Sequence, residues 1–282
     1  EMMSRTPMLS DQASIWTNID IALKSKIFMM GSGADLIATL NNISRIEADK
    51  IAFQSQMKAC HAIKNNYFKS IVPVENHVKK LICSMDECVR EDVTIESLNE
   101  LKPSFEELGK NGVDNLQLKY FPQIKSISHI HTAGNSPAMA DAAAMTLLSS
   151  SNNSSSNKFQ ARAVIKDIVV TNDDPVLVLS GCIKATQELL KKTQLTVNDV
   201  DLFEIHEAFA STIIFAQRKL NIPEEKLNVN GGCIALGHPM GATGSIMLSS
   251  LIDEMERQDL ATGIVATSGA AGAGTAILIE RL

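Results

Sequence analysis

N-V-N-G-G-C-I-A-L-G-H-P-M-G-A-T-G-S-I-M-L-S-S, residues 228–250, decides how the rest of the chain is read. Five glycines and a His-Pro pair crowd its first seventeen positions, too many φ > 0 and φ-fixed residues for a regular element, so a loop is expected. After it Ile246, Met247, Leu251, Ile252 and Met255 fall at helical spacing. The loop therefore feeds a helix N-terminus, where backbone N–H groups have no intrahelical partner. His238 stands at that mouth, and Pro239 stiffens the turn so that the imidazole is presented in one orientation. That suits a group that must polarise something; a histidine satisfied by the loop backbone fits the spacing equally well.

On either side of this loop the pattern is strand and helix. V-D-L-F-E-I at 200–205 reads as a strand running into H-E-A-F-A, with an amphipathic helix over 209–220. His206 is thereby set at a strand's carboxyl end, a usual place for functional groups in α/β sheets. Residues 262–267 and 276–279 read as strands joined by S-G-A-A-G-A-G at 268–274, a tip small enough for backbone amides to approach a ligand, or simply for tight packing. Earlier, 161–170 alternates as a half-buried strand, 182–192 is helical, and T-V-N-D at 196–199 resembles a cap.

The upstream part is less regular. A short helical pattern covers 34–40, and S-R-I-E at 44–47 has the form of a capping box opening a longer helix. Its spacing predicts that Ile46, Phe53, Met57, Cys60 and Ile63 face the core and Lys50, Gln54, Lys58 and Lys64 face water, with His61 on the surface. An acidic cluster over 86–98 reads as loop and solvated face. In S-I-S-H-I-H-T-A-G-N-S-P-A-M-A-D, residues 126–141, His129 and His131 would share a face of a strand and could hold a metal together. No third ligand has a fixed spacing nearby, so no metal is expected and ordinary strand histidines are the simpler reading. Residues 142–148 read as a small-residue helix, and the Ser/Asn tract over 149–157 as a flexible connection and a boundary.

At 282 residues the chain can bury a large core in one domain or two. Hydrophobic residues make up 45% and charged residues 21%, so disorder is not the default. The net charge of -6 disfavours nucleic acid or an anionic membrane surface as the main partner. Without a long apolar run or a secretory pattern at the start, a soluble cytoplasmic protein is expected. Cys60, Cys83, Cys88, Cys182 and Cys233 are odd in number and lack C-x-x-C spacing, which points to free thiols rather than a disulfide frame or a zinc site.

Taken in order, E-M-M-S-R-T-P-M, L-K-P-S-F, T-A-G-N-S, D-L-F-E-I-H-E-A-F-A, the H-P loop and the closing T-A-I-L-I-E-R-L resemble the thiolase family, most closely its acetyl-CoA acetyltransferase and 3-ketoacyl-CoA thiolase members. The resemblance implies a layered αβαβα fold: a partial first half (1–8 and 126–148), a loop domain (9–125) and a complete second half (158–282). It implies acyl transfer on acyl-CoA and 3-ketoacyl-CoA with no bound cofactor, coenzyme A thioester being substrate, and self-association as a homo-oligomer. His238 would activate the nucleophilic cysteine and help hold the thioester oxyanion. His206 would fix a water at the same site, where other branches carry Asn. Donors aimed at a developing oxyanion are usually the largest catalytic contribution.

Several positions depart from the family pattern. Its second cysteine, which moves the α-proton, falls on Ser268, whose hydroxyl is a far weaker acid than a thiol. Ala270 and Gly237 could still offer backbone to an oxyanion. Asn135, Ser136 and Pro137 fall on the substrate-binding stretch, with Pro137 where a serine often touches the pantetheine arm. The nucleophile's own segment precedes E-S-M-S-R in the family, and none of the five cysteines here has its surroundings. Two expectations follow: a thiolase acyltransferase completed by a complementary chain that bears the nucleophile, or a degenerate thiolase kept as a CoA-thioester-binding, structural or regulatory subunit. Either should leave 126–148 with an apolar face that something covers.

Overall fold

The computed structural model describes residues 24, 28–76, 78, 80–150 and 160–282. The expectations for 1–8, for the first part of the loop domain and for 151–157 fall outside the described residues.

The C-terminal part is built on a mixed four-stranded sheet of Ala163–Asn172 (β3), Leu202–Ile205 (β4), Thr262–Ser268 (β5) and Ala273–Arg281 (β6), in the order β3-β6-β5-β4. β4 and β5 run parallel and the other pairs antiparallel, with one register shift between Ile165 and Asp167. Because side chains alternate across a strand, each face carries its own core. Phe203, Ile205, Ile264, Ala266, Ala276 and Leu278 pack on Gly181–Thr193 (α5) and Ala210–Leu220 (α6). Leu202, Val265 and Ile279 pack on Met247, Leu251 and Met255 of Thr243–Gln258 (α8). Each fully buried large side chain contributes about 1.5–3 kcal/mol. Helices thus cover both faces, and α5 sits tight against β6: a Cβ on Gly181 would lie 2.2 Å from the Ala273 carbonyl, and one on Gly274 2.0 Å from that of Gly181.

Ahead of the sheet come Met30–Leu40 (α1), Arg45–Lys64 (α2), a two-stranded ribbon of Val74–Asn76 (β1) and Leu81–Cys83 (β2), Ile95–Asn99 (α3) and Asp114–Tyr120 (α4). The capping box at the head of α2 forms as read: the Ser44 side chain accepts from the Glu47 N–H, and Glu47 reaches back to the Ser44 N–H. Thr196 and Asp199 form another. Cys60 is buried and His61 exposed, as expected.

The buried face of α2 is not the expected one. Ala48, Asp49, Ala52, Ser55, Gln56 and Ala59 are buried, while Ile46 is 71% exposed. The helical period was right, but small residues permit close approach and the polar ones have partners waiting: Asn135 for Asp49, Glu207 for Ser55, Ile234 for Gln56. Residues 126–141 are also not a strand. The Asp35 carboxylate takes the N–H groups of Ile130 and His131, which leaves them nothing to give to a ladder. The helix expected over 142–148 is absent; the segment has no regular structure and leaves Met145 at 91%, Leu147 at 72% and Leu148 at 68% exposed. Among the described residues these side chains have little packing that would favour a helix.

Candidate active site

β4 and β5 end side by side, Ile205 against Ala266, and the His206 N–H donates to the Ala266 carbonyl at 2.8 Å. The organising loop is tied to this strand end by side chains rather than by a ladder. Asn228 accepts from the Ile205 N–H at 2.8 Å and donates to its carbonyl at 2.9 Å, serving as an extra rung on the edge of β4. Glu207 lies beneath the loop, accepting from Ser55 Oγ at 2.7 Å, the Ile234 N–H at 3.0 Å and Asn228 Nδ2 at 3.1 Å. The loop contains a short α-helix, Cys233–Leu236 (α7), and a 3-10 turn at Met240–Ala242, where sequence suggested neither.

Gly237 then turns the chain at φ +90°, and a Cβ there would come within 2.9 Å of Ala140 Cβ and 3.1 Å of Cys88 Sγ. Its N–H is taken by the Cys233 carbonyl at 2.9 Å, so Gly237 shapes the site and has no amide to offer an oxyanion. The next residue, His238, donates its N–H to the Ala138 carbonyl at 2.8 Å and holds Thr243 Oγ1 with Nδ1 at 2.8 Å. The imidazole is thus fixed at the N-terminus of α8, and Nε2 is left over.

The rings of His206 and His238 lie 4.6 Å apart, centroid to centroid, tilted by 45°. Both nitrogens of His206 are buried without a hydrogen-bond partner, which is unusual in a folded interior. Burial first, then the neighbouring His238, pushes the His206 pKa down to about 3, with the Ser268 backbone weakly opposing. Burial also lowers His238. Near neutral pH both rings are therefore uncharged and able to accept a proton or a hydrogen bond.

The hairpin tip arrives from the end of β5. Its Ser268 backbone lies beside His206, while the Ser268 hydroxyl points elsewhere, donating to the Leu179 carbonyl at 2.7 Å and accepting from the Cys182 N–H at 2.9 Å. The tip is braced by the Val178 carbonyl, which accepts from the Gly272 N–H at 3.0 Å. Val178 itself is at φ +61°, a genuine strain for a β-branched residue. Within the tip the Gly269 N–H bonds the Ala273 carbonyl, and the Ala270 N–H lies outside the hairpin's own hydrogen bonds.

Other expected site residues are put to different uses. Asn135 is fully buried; its amide donates to Asp49 and to the Ile130 carbonyl and accepts from the Thr132 N–H, a structural clamp with no capacity left for substrate. Ser136 Oγ beside it is buried without a partner, and Pro137 is half-buried. His129 and His131 converge on Asp35, not on a shared open face: Nδ1 of each meets the carboxylate, at 2.8 and 2.6 Å, and His129 Nε2 meets Asp114 at 3.0 Å. The hydrogen bond to Asp35, strengthened by Asp114, raises the His129 pKa to about 9 despite burial. Burial is the largest influence on Asp35 and pushes its pKa up, but the bonds from His129, His131 and Ile130 together outweigh it and hold the carboxyl below its usual value.

Sequence reasoning missed Glu207, Asp35 and Cys233. Glu207 directly follows His206, and a buried carboxylate next to a strand-end histidine was the signal available; Cys233 gave none, because what surrounds it comes from distant segments.

Residues 1–116 match the thiolase N-terminal domain and residues 159–281 the thiolase C-terminal domain. A 3-ketoacyl-CoA thiolase of Klebsiella pneumoniae is 34% identical over 261 residues, covering 90% of this chain and 62% of that protein. An acetyl-CoA acetyltransferase of Synechocystis is 36% identical over 256 residues, with 90% and 60% covered. Among solved structures, the Bacillus anthracis acetyl-CoA acetyltransferase superposes with a TM-score of 0.79 at 33% identity over 90% of this chain and 60% of that one. Human mitochondrial 3-ketoacyl-CoA thiolase in complex with CoA gives 0.77 at 31%, over 90% and 59%. The chain spans about 60% of the length of these relatives. With both thiolase domains matched along its length and the fold superposing on solved thiolases, the chain belongs to the thiolase family.

Proposed function

We propose that the chain supplies the histidine half of a thiolase-type acyltransferase acting on acyl-CoA and 3-ketoacyl-CoA thioesters, the nucleophilic cysteine being contributed by polypeptide beyond these residues. The observation that carries this reading is the pair of uncharged imidazoles, His206 and His238, 4.6 Å apart beside the glycine hairpin. In the reaction His238 Nε2 takes the nucleophile's thiol proton, and the thiolate attacks the thioester carbonyl. Negative charge then develops on the carbonyl oxygen, and donors held in a site shielded from water stabilise it most effectively. His206 would hold a water there and the Ala270 N–H would serve a second oxyanion position. Gly237 supports this as a shape-setting residue, and of 135–137 Ser136 is the one with a hydroxyl to spare. That a human relative binds CoA supports a CoA thioester as substrate.

A second reading, a degenerate thiolase that retains a CoA-thioester pocket or a structural or regulatory role, is favoured by one observation. The Ser268 hydroxyl is committed to Leu179 and Cys182, so it cannot move the α-proton that the family's cysteine moves. The deciding experiment is thiolysis of acetoacetyl-CoA by free CoA, in a sample holding this chain together with the polypeptide that carries the family nucleophile. The acyltransferase reading expects turnover that His238→Ala removes. Absence of turnover, with CoA-thioester binding retained, would replace it with the second reading.

A further inference from the structure

His206, His238 and Cys233 come from β4's end, the organising loop and α7, and one ligand atom from each lies within 4.8 Å of the other two. Any triangle of that size has a point within about 2.8 Å of all three corners, and zinc sits roughly 2.0–2.3 Å from nitrogen and sulfur ligands, so closing the site needs shifts of under about 1 Å. His206 has two buried nitrogens and nothing to bond them, and His238 has Nδ1 tied to Thr243 with Nε2 to spare. Tying one ring nitrogen to an oxygen is how ligating histidines are ordinarily oriented.

Two acidic side chains stand beside Cys233. Glu204 and Glu207 are both buried and close enough to act on its thiol, and Glu207 is fixed by hydrogen bonds from Ser55, Ile234 and Asn228. Burial raises the pKa of both carboxyls, so they offer acceptor oxygens to the surroundings of an ion rather than fixed charge. Cys233 and Glu204 also line a small cavity with Gly237, Pro239 and Thr243. Two nitrogens and one sulfur are the donor set of zinc-class ions and are foreign to calcium or magnesium.

We propose that His206, Cys233 and His238 form a binding site for a zinc-class divalent cation, held by two imidazole nitrogens and one thiolate with a fourth position open. Binding exchanges the Cys233 thiol proton, released to solvent, for the ion, with no change of oxidation state. An ion there occupies both imidazoles that acyl transfer needs free, so the two states exclude each other. The site does not depend on the acyl-transfer reading, and its test reads binding rather than turnover.

The test titrates the purified chain with Zn²⁺ by calorimetry and with Co²⁺ by absorption. One ion per chain is expected, with an intense thiolate-to-cobalt band and the visible bands of a four-coordinate ion. Cys233→Ser, a near-isosteric change, removes the thiolate band and weakens Zn²⁺ binding at least about tenfold, and His206→Asn weakens it by a similar factor. Substoichiometric binding, a cobalt spectrum without the thiolate band, or affinity unmoved by both variants would overturn the site.

Discussion

Two histidine pairs divide this molecule's chemistry. His129 and His131 stand two residues apart, and three of their four ring nitrogens are engaged by Asp35 and Asp114 while the fourth, His131 Nε2, faces the Ser211 N–H at 3.4 Å. His206 and His238 are far apart in sequence, their rings tilted at 4.6 Å, and among the described residues only Nδ1 of His238 has a side-chain partner, the Ser268 backbone lying beside His206. His129 of the first pair is raised in proton affinity, and both rings of that pair are tied into the fold through Asp35; the second pair is lowered and has lone pairs to use. Adjacency in sequence does not mark the pair with free nitrogens; a strand end and a glycine-rich loop do. What distinguishes a working imidazole is what its nitrogens are left without.

The contrast can be broken most forcefully at Asp35. Asp35→Ala removes the shared partner of both upstream histidines and two backbone N–H groups, and should cost about 3–5 kcal/mol in denaturant unfolding. His206→Asn loses no hydrogen bond and should cost less than about 1 kcal/mol. Equal costs would erase the distinction.

The pairs also predict opposite pH limbs. His129 has a folded pKa near 9 against 6.5, so its contribution is complete below pH 6.5 and is lost as pH rises through about 9. His206, folded near 3 against 6.5, refuses a proton that the unfolded chain accepts, so stability falls as pH drops from 6.5 toward 3. Melting temperatures across that range should fall at both ends, with His206→Asn flattening the acid limb alone and Asp35→Asn flattening the alkaline limb and, because the Asp35 carboxyl is itself lowered, the most acid part of the curve.

Gly237→Ala sharpens the comparison from the loop side. A side chain at φ +90° pressed against Ala140 and Cys88 should cost about 1–2 kcal/mol and displace His238 while leaving His129 untouched. The control lies away from both pairs: Ser44→Ala should lower stability by about 1 kcal/mol through the α2 cap and alter neither pair's titration.

Much of the fold could be read because its signals are local. β4, β5, α6 and the Ser44 and Thr196 caps depend on spacing and on residues three apart, and all formed within a few residues of expectation. The buried face of α2 could not, because Asp49, Ser55 and Gln56 look solvent-facing until Asn135, Glu207 and Ile234 are brought to them. The extended course of 142–148 depends on packing that its own small residues cannot foretell. At the site, His206 and His238 were legible from a strand end and a glycine-rich loop. The other assignments were not: Asn135, Ser268 and the Gly237 N–H already have partners, and Cys233 reaches the histidines only through tertiary folding.

The most direct measurement is an NMR pH titration of the intact chain with isotope-labelled histidine, each ring assigned by single substitution. The account predicts His129 titrating near pH 9 and His206 remaining neutral until about pH 3. His206 titrating at or above pH 6.5, or His129 below it, would contradict the account.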